Sequence, residues 1–224
     1  MNSADQLQVA IATARGVVSD IATSLPASVD PAMFTLKSKT PFAAVSVREV
    51  LIHRVSALAI PAVEQFEAHR FLAGIVLTRS VLETVAIAFA VERALNRFLR
   101  VQNKEAVHKY LMQVLLARGT PGSKYKPMDI TGLVDSLDKK SPGIRQTYNN
   151  FSECVHPNWS GTLATFGTTD ENTLILHLGA QQDSPTWGAG VHALTGALIE
   201  FQRIYAALPR LITEMDNYFE QHDA

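Results

Sequence analysis

Apolar side chains recur every three or four residues along most of this chain, which is the spacing that places them on one face of an α-helix. The pattern predicts helices at residues 4–25, 47–69, 70–100, 103–118, 129–140, 144–156 and 186–219. A small β-hairpin is expected near residues 162–178, where TLATF and TLILHL flank the sequence GTTDEN. Together these elements predict an all-α bundle of six or seven helices that forms a single domain over residues 1–224.

The helix predicted at 70–100 is expected to lie at the centre of the bundle, because it is apolar on nearly every side from Leu72 to Val91. The stretch is also long enough to span a bilayer. Arg79 and Glu83 stand at its middle, however, and a charge at the centre of a bilayer costs at least about 2.5 kcal/mol. A buried helix of a bundle in water is therefore the better interpretation, and no membrane contact is predicted.

The last predicted helix carries apolar residues in a heptad rhythm, which Pro209 bends without ending. The residues of this seam are Leu194, Leu198, Phe201, Tyr205, Leu208, Ile212, Met215 and Phe219. A seam of this length is most often the intramolecular face of a bundle, and otherwise a dimer interface.

Proline and capping residues predict two boundaries near the start of the chain. Residues 25–41 contain three prolines and no apolar period, so they are expected to form a surface loop. Ser46 and Glu49 fit a capping box, which predicts that the second helix begins at residue 47. Pro61 removes one backbone donor inside that helix and is expected to kink it.

The overall charge balance argues against a protein whose whole surface attracts polyanions. The chain has 20 basic and 21 acidic side chains and a formal net charge of −1. Any nucleic-acid contact must therefore come from a local patch. Residues 118–145 are the candidate, with six Lys or Arg against three Asp, and no DNA binding is predicted.

Cysteine usage and the N-terminus indicate the compartment. Cys154 is the only cysteine, which excludes an intramolecular disulfide and a Cys-based zinc site and is typical of a reducing environment. The N-terminal MNSADQLQVA has no cationic segment followed by an apolar core, so it does not resemble a secretory signal. The sequence therefore predicts a cytoplasmic protein.

The stretch FSECVHPNWSGT, residues 151–162, supplies the first candidate for chemistry. Because a residue before proline avoids the helical conformation, the helix must end at about Val155 or His156. The unpaired carbonyls of the last turn, together with Glu153, favour a protonated imidazole there, and a His of this kind can act as general acid or base. The alternative is a C-terminal cap, in which the ring only bonds a carbonyl.

Arg79 is the natural cationic partner for His156. It lies in the apolar stretch LTRSVLETVAIAF with Glu83 four residues on, so the two can pair on one face of the helix. One interpretation is a buried ion pair that fixes how the central helix packs. The other places the side chains of Arg79 and His156 within about 8 Å of each other, in a cleft that is open to solvent.

The buried LTRSVLE and the later YNNFSECVHPN resemble the helical families related to HEPN (higher eukaryotes and prokaryotes nucleotide-binding) domains, over roughly residues 45–165. The resemblance implies a helical bundle that often dimerises, and its active members are metal-independent ribonucleases that use an Arg and a His. It therefore implies a homodimer, with His156 as general acid or base and Arg79 stabilising the charged phosphorane. The chain departs from the active pattern, which has Arg four to six residues before His on one helix, because residues 149–152 are Asn, Asn, Phe and Ser.

A third possibility comes from spacing alone. Glu-x-x-His occurs at Glu105–His108 and at Glu153–His156, and ferritin-like bundles build a di-metal site from two such motifs and two further glutamates. Glu64 or Glu67 and Glu83 are candidates for the latter. No phosphate loop, nucleophile elbow or dinucleotide fingerprint is present, so no cofactor is predicted.

Three classes of function stay open. They are an RNA-acting protein that either cleaves or only binds RNA, a non-catalytic helical interaction module or homodimer, and a di-metal enzyme. The candidate catalytic residues are Arg79, Glu83, Glu153 and His156, and no metal ligand is assigned.

Overall fold

The computed structural model describes residues 3–119, 121–179 and 185–222, and this part of the chain forms the predicted all-α bundle with one small hairpin. The helices are α1 (Ser3–Thr23), a 3₁₀ helix (Pro31–Met33), α2 (Thr40–Glu67), α3 (Phe71–Val101), α4 (Lys104–Leu116), α5 (Ile130–Asp138), α6 (Ile144–Val155), the one-turn α7 (Leu163–Phe166) and α8 (Pro185–His222). The two strands are β1 (Gly167–Thr169) and β2 (Leu176–Leu178).

Helix α3 lies at the centre, as its apolar sequence predicts. It packs against α2 and α8 along its length and also contacts α4, α5 and α6. The hydroxyl groups of the buried Thr78 and Thr84 donate to carbonyls one turn back, so they add no unsatisfied donor to the core. Among the described helices α3 alone is long and apolar enough to cross a membrane, and 61% of its most apolar window is buried within the bundle.

The heptad seam of α8 is the intramolecular face of the bundle. Every seam residue but the half-buried Tyr205 is buried, against α1, α2 and α3. Phe98 of α3 stacks on Phe219 with ring centroids 5.4 Å apart, so the pairing of the two longest helices extends to the last turns of α8. Pro209 lies inside α8 without ending it.

Helix α2 begins earlier than predicted. It starts at Thr40, and Pro41 occupies the first turn, where a missing N–H breaks no helical hydrogen bond. The Ser46 hydroxyl donates to the carbonyl of Phe42 inside the helix, and Glu49 is buried against other side chains, so the capping-box prediction is wrong. Pro61 also lies within the helix without ending it.

The hairpin has a different first half from the one predicted. TLATF forms the turn of helix α7, and the strand is Gly167–Thr169, which pairs antiparallel with β2. The Asp170 carboxylate accepts hydrogen bonds from the N–H groups of Asn172 and Thr173. These bonds hold the pKa of Asp170 below its usual value, so the turn is fixed by a side chain that stays ionised.

The close approach of α2 and α3 makes Gly74 a sensitive position. A Cβ atom added there would lie 2.7 Å from the ring of Phe66, which is fully buried and has no room to move. Gly74→Ala is therefore expected to lower the free energy of unfolding by about 1–3 kcal/mol in urea denaturation.

Gly16→Ala is the matched control, because Gly16 also lies inside a helix and a Cβ there meets nothing within 4 Å. Its effect should be a gain of up to about 1 kcal/mol from the higher helix propensity of alanine. A similar gain for both variants would contradict the tight packing at Gly74.

Candidate functional site

Helix α6 ends where the Pro rule predicts. Val155 is its last residue, and His156 has an extended conformation with φ −78° and ψ 142°. The chain then folds back over the helix end, where the Asn158 side chain accepts from the N–H of Gly161. The backbone of Gly161 comes so close that an added Cβ would lie 2.1 Å from the carbonyl oxygen of His156. Only glycine fits there, and this contact fixes the loop that carries His156.

His156 and Glu153 are both exposed and do not form the cap that the alternative interpretation required. Within the described residues the His156 ring makes no hydrogen bond, while Glu153 accepts from the Asn158 side chain at 2.6 Å. Burial raises the pKa of the neighbouring Cys154 thiol, and Glu153 adds to the rise. The thiol therefore stays protonated at neutral pH and is not an activated nucleophile.

Arg79 is held by three side chains on two helices, Glu83, Tyr148 and Ser152, and we call the four residues together the Arg79 cluster. Its Nε donates to Ser152 Oγ at 3.0 Å and its Nη2 to Tyr148 Oη at 2.7 Å. Its Nη1 lies 3.2 Å from Glu83 Oε1, which also accepts from the Tyr148 hydroxyl at 3.0 Å. The guanidinium lies 4.7 Å from the centre of the Tyr148 ring. The cluster therefore ties α3 to α6.

All three guanidinium nitrogens of Arg79 are already used. The side chains of Arg79 and Glu83 are only 25% and 21% exposed, so their pairing is partly shielded from water. Burial, followed by the bond to Glu83, raises the pKa of Tyr148, which keeps the proton that it donates. The geometry matches the ion pair that fixes helix packing.

Arg79 contacts the last turn of α6, which precedes His156, but it does not bond to His156 itself. Ser152, which accepts from Arg79, precedes His156 by four residues, or about 6 Å along the helix axis. Among the described residues no hydrogen bond or ion pair joins Arg79 to His156 or to Glu153. Of the four candidate catalytic residues, the structure thus brings Arg79 and Glu83 together and leaves Glu153 and His156 separately at the exposed helix end.

A second cluster of the same composition supports a structural role for the first. The guanidinium of Arg48 lies 3.5 Å from the centre of the Tyr205 ring and forms an ion pair with Glu49. Glu49 also accepts from the Tyr205 hydroxyl at 2.5 Å. Burial, then this bond, raises the pKa of Tyr205. Arg, Glu and Tyr are thus again combined to join two helices, here α2 and α8, although Arg48 donates to the carbonyl of Tyr205 and not to its hydroxyl.

Three of the side chains proposed for a di-metal site are bonded to other residues. Glu67 pairs with Arg15, Glu83 pairs with Arg79, and His108 Nδ1 lies 3.1 Å from the hydroxyl of Thr40. Across residues 3–119, 121–179 and 185–222 no group of three or more His, Cys, Asp or Glu side chains is placed to hold a metal ion. The two Glu-x-x-His motifs therefore do not converge.

A cleft of about 630 Å³ between α3, α4 and α5 is the site that sequence reasoning missed. We call it the basic cleft. Its polar and charged lining consists of Glu92, Arg93, Asn96, Arg97, Arg100, Asn103, Tyr110, Ser136 and Lys140, above an apolar floor that includes Phe89 and Phe98. A cleft of this volume is in the range that holds small ligands or a single unit of a polymer.

The arginines of the basic cleft have no acidic partner. In the described chain no carboxylate lies within ion-pair distance of Arg93, Arg97 or Arg100. The one acid of the lining, Glu92, is bound by Arg203 at 2.9 and 3.0 Å. Lys140 is paired with Glu200 outside the cleft at 3.2 Å. Three exposed guanidinium groups therefore make the cleft basic, and of these Arg93 donates to the Ser136 hydroxyl and Arg100 to the Asn96 carbonyl.

Tyr110 marks an unmet hydrogen bond at the same place. Its hydroxyl is buried and has no partner among the described residues. Burial raises the pKa of Tyr110 to about 12, and Arg93 opposes the rise. An unsatisfied buried hydroxyl costs about 1–3 kcal/mol of folding free energy.

The signal for this site is present in the sequence but is weak. Arg93, Arg97 and Arg100 follow one another at steps of four and three, which puts them in one row on α3. Of the basic patch predicted at 118–145, Lys140 alone lines the cleft, and Arg145 is paired with Asp135 instead. The burial of Tyr110 depends on tertiary packing and has no local signature.

Comparison of the chain with protein-family models, with curated proteins and with solved structures gave no match. Function must therefore be argued from the geometry and charge of the sites themselves.

Tyr148→Phe tests the Arg79 cluster. It removes the hydroxyl that donates to Glu83 and accepts from Arg79, and hydrogen bonds to charged groups contribute about 1.5–3 kcal/mol each. Urea denaturation should show a loss of that order. Tyr218→Phe is the control, because no described residue bonds the Tyr218 hydroxyl, and it should change stability by less than about 0.5 kcal/mol. Equal effects would mean that the cluster contributes nothing specific.

Tyr110→Phe should have the opposite effect. Removing an unsatisfied buried hydroxyl is expected to raise the free energy of unfolding by about 1 kcal/mol at neutral pH.

The advantage of Tyr110→Phe should also grow in alkali. Unfolded Tyr110 releases its proton above the ordinary pKa of 10.0, whereas the folded form keeps it up to about 12. The stability of the parent that depends on this proton is therefore present below pH 10.0 and is lost as the pH rises through about 12. Urea midpoints of both proteins, measured across this window, would show a constant difference if the hydroxyl were not buried.

Proposed function

We propose that the protein is a helical RNA-binding domain and that the basic cleft is its site for the sugar–phosphate backbone. The observation that carries the proposal is that a row of exposed arginines and an unsatisfied tyrosine hydroxyl occur in one cleft. Arg93, Arg97 and Arg100 lack an acidic partner, and the buried hydroxyl of Tyr110 lacks a hydrogen-bond partner. A phosphate group supplies the negative charge that the arginines attract, and an adjacent sugar hydroxyl can bond Tyr110 once a movement of the Tyr110 ring opens its buried hydroxyl to the cleft.

Guanidinium groups favour phosphate over other anions in this arrangement. Each offers a planar pair of donors that matches two phosphate oxygens, and three in one row match a chain of phosphates better than a single small anion. The N-terminus of α4 also lies at the cleft, where Asn103 and Ala106 form part of the lining. Asn103 already caps this end through the N–H of Ala106, and the C-terminus of α3 lines the same cleft, so the arginines and not the helix ends carry the attraction for an anion.

Recognition in this cleft depends on the backbone of the nucleic acid and not on its bases. Phe89 and Phe98 are buried, and the cations of Arg93 and Lys140 lie 5.9 and 5.3 Å from the centre of the Phe89 ring. Neither of these two phenylalanines offers an open ring face for a base to stack upon. Binding should therefore be sensitive to salt and tolerant of sequence.

The choice of RNA among phosphate polymers rests on the resemblance to HEPN domains. LTRSVLE and YNNFSECVHPN carry that resemblance, and the first of them lies on α3, the helix that also supplies the arginine row. Binding without cleavage is the form of the proposal that the site supports, because each guanidinium nitrogen of Arg79 already has a partner on α3 or α6 and no described hydrogen bond or ion pair joins Arg79 to His156.

A cytoplasmic homodimer is part of the proposal. The single Cys154 suits a reducing compartment, and two copies would present two basic clefts to one RNA strand. Two linked sites bind one strand more tightly than either does alone. The main alternative is a helical interaction module in which the same cleft takes an acidic segment of a protein.

Fluorescence anisotropy with a labelled single-stranded RNA tests the proposal. Arg97→Ala combined with Arg100→Ala should weaken binding by about tenfold or more and make the slope of log K against log salt less negative by about 0.7 for each lost phosphate contact. Arg70→Ala combined with Arg210→Ala is the matched control, since both are exposed arginines outside the cleft and the net charge changes equally.

Tyr110→Phe separates a binding role from a folding role. It should weaken RNA binding although it stabilises the fold, because it removes the unmet hydrogen-bonding group. Equal binding by the parent and the cleft double variant would overturn the site. Cleavage of the RNA by the parent, and not by His156→Ala, would contradict a role limited to binding.

A further inference from the structure

Six large apolar side chains are exposed on helix α7 and the hairpin that follows it, and we call them the apolar hairpin surface. They are Leu163, Phe166, Leu174, Ile175, Leu176 and Leu178, each between 42% and 79% exposed. Leu163 and Leu176 meet over Gly167, where an added Cβ would contact both. The other exposed apolar residues of the described chain lie scattered over several helices and loops and need no explanation. The concentration of six such residues on one helical turn and one hairpin does need one.

The outer edge of strand β2 has no partner in the described chain. The sheet has two strands, and β2 pairs with β1 alone. The N–H of Asp170 donates to the carbonyl of Ile175, and the N–H of Gly179 donates to the carbonyl of Phe166. Because hydrogen-bonded pairs alternate along an antiparallel ladder, the backbone groups of Leu176 and Leu178 point away from β1, toward the open edge.

Such an edge is unusual in a protein that stays monomeric. Isolated two-stranded hairpins are marginally stable in water, and natural edge strands are usually protected by Lys, Pro or a covering element. All three residues of β2 are exposed, and none of them is Lys, Pro or an acid. The edge therefore offers both unpaired backbone groups and apolar side chains to a further strand.

We propose that β2 pairs with β2 of a second copy of this chain across a twofold axis, which makes a four-stranded antiparallel sheet. An antiparallel strand is complementary to itself under a twofold rotation, because Leu176 facing Leu178 of the second copy satisfies the outward N–H and C=O groups of both. The residues from Leu174 to Leu178 carry no Asp, Glu, Lys or Arg, so self-pairing brings no such like charges together.

A second copy fits this surface better than a lipid surface does. Segments that bind membranes combine apolar side chains with basic ones that contact anionic lipid. The tip of this hairpin carries Asp170 and Glu171 instead, and the pKa of Asp170 is lowered so that it stays ionised. The heptad seam of α8 is also excluded as the interface, since it is buried within one chain.

The oligomeric state in solution tests the pairing. Light scattering coupled to size exclusion should show a dimer for the parent, and Leu176→Lys combined with Leu178→Lys should raise the dimer dissociation constant by at least about thirtyfold, the loss that an interface hot spot causes. Leu36→Lys is the matched control, because Leu36 is 94% exposed in a loop away from the hairpin. It should remain a dimer, and circular dichroism should show that all three proteins fold.

Amide hydrogen exchange gives a second readout that charge repulsion cannot imitate. Exchange at Leu176 and Leu178 should slow on dimerisation, while exchange at other exposed amides of the hairpin turn should not. A parent that is monomeric at high micromolar concentration would overturn the proposal. So would a dimer that survives the double lysine variant, or a monomer that binds vesicles of phosphatidylcholine and phosphatidylserine through this surface.

Discussion

The burial of α3 is the constraint from which the rest of the structure follows. A helix that is apolar on nearly every side is stable in water only when other helices cover it, and five of them contact α3. The cover must also satisfy the charged residues that α3 carries inside it. Arg79 meets this requirement through Glu83 on its own helix and through Tyr148 and Ser152 on α6. The position of α6, and with it the loop of His156, is set by that requirement.

The arginines of this protein occupy two kinds of environment. Arg48 and Arg79 lie where helices pack together, and each is bonded to a glutamate and stacked on a tyrosine. Their positive charges therefore stabilise contacts between helices. The arginines at the C-terminal end of α3 face solvent without such partners. Arginine therefore has two uses on α3. Arg79 stabilises helix packing, and the arginines at the C-terminal end are available to a ligand. Function is better sought among unsatisfied groups than among satisfied ones.

Local patterns predicted what depends on local spacing. Apolar periodicity was enough for α1, for the central place of α3 and for the seam of α8, and the Pro rule gave the end of α6. The proline and capping signals near residue 41 misplaced the start of α2, because Pro41 suits the first turn of a helix as well as a loop. The partners of Arg79 on α6 and the burial of Tyr110 were beyond reach, since they arise when segments distant in sequence pack together. The arginine row on α3 could be predicted in part. Its spacing is visible in the sequence, but the cleft beside it forms only when α3, α4 and α5 pack together.

Gly161 limits how the loop after α6 can be studied. Its backbone lies against the carbonyl groups of Cys154 and His156, where no side chain has room. Any replacement at residue 161 would push the polypeptide off the end of α6 and carry the imidazole to a new place. A loss of activity in such a variant would report a change in the path of the chain and would say nothing about a chemical role for the glycine. In saturation mutagenesis of this loop, variants of residue 161 should therefore be analysed separately, because they report a change in backbone path and not the loss of a side chain.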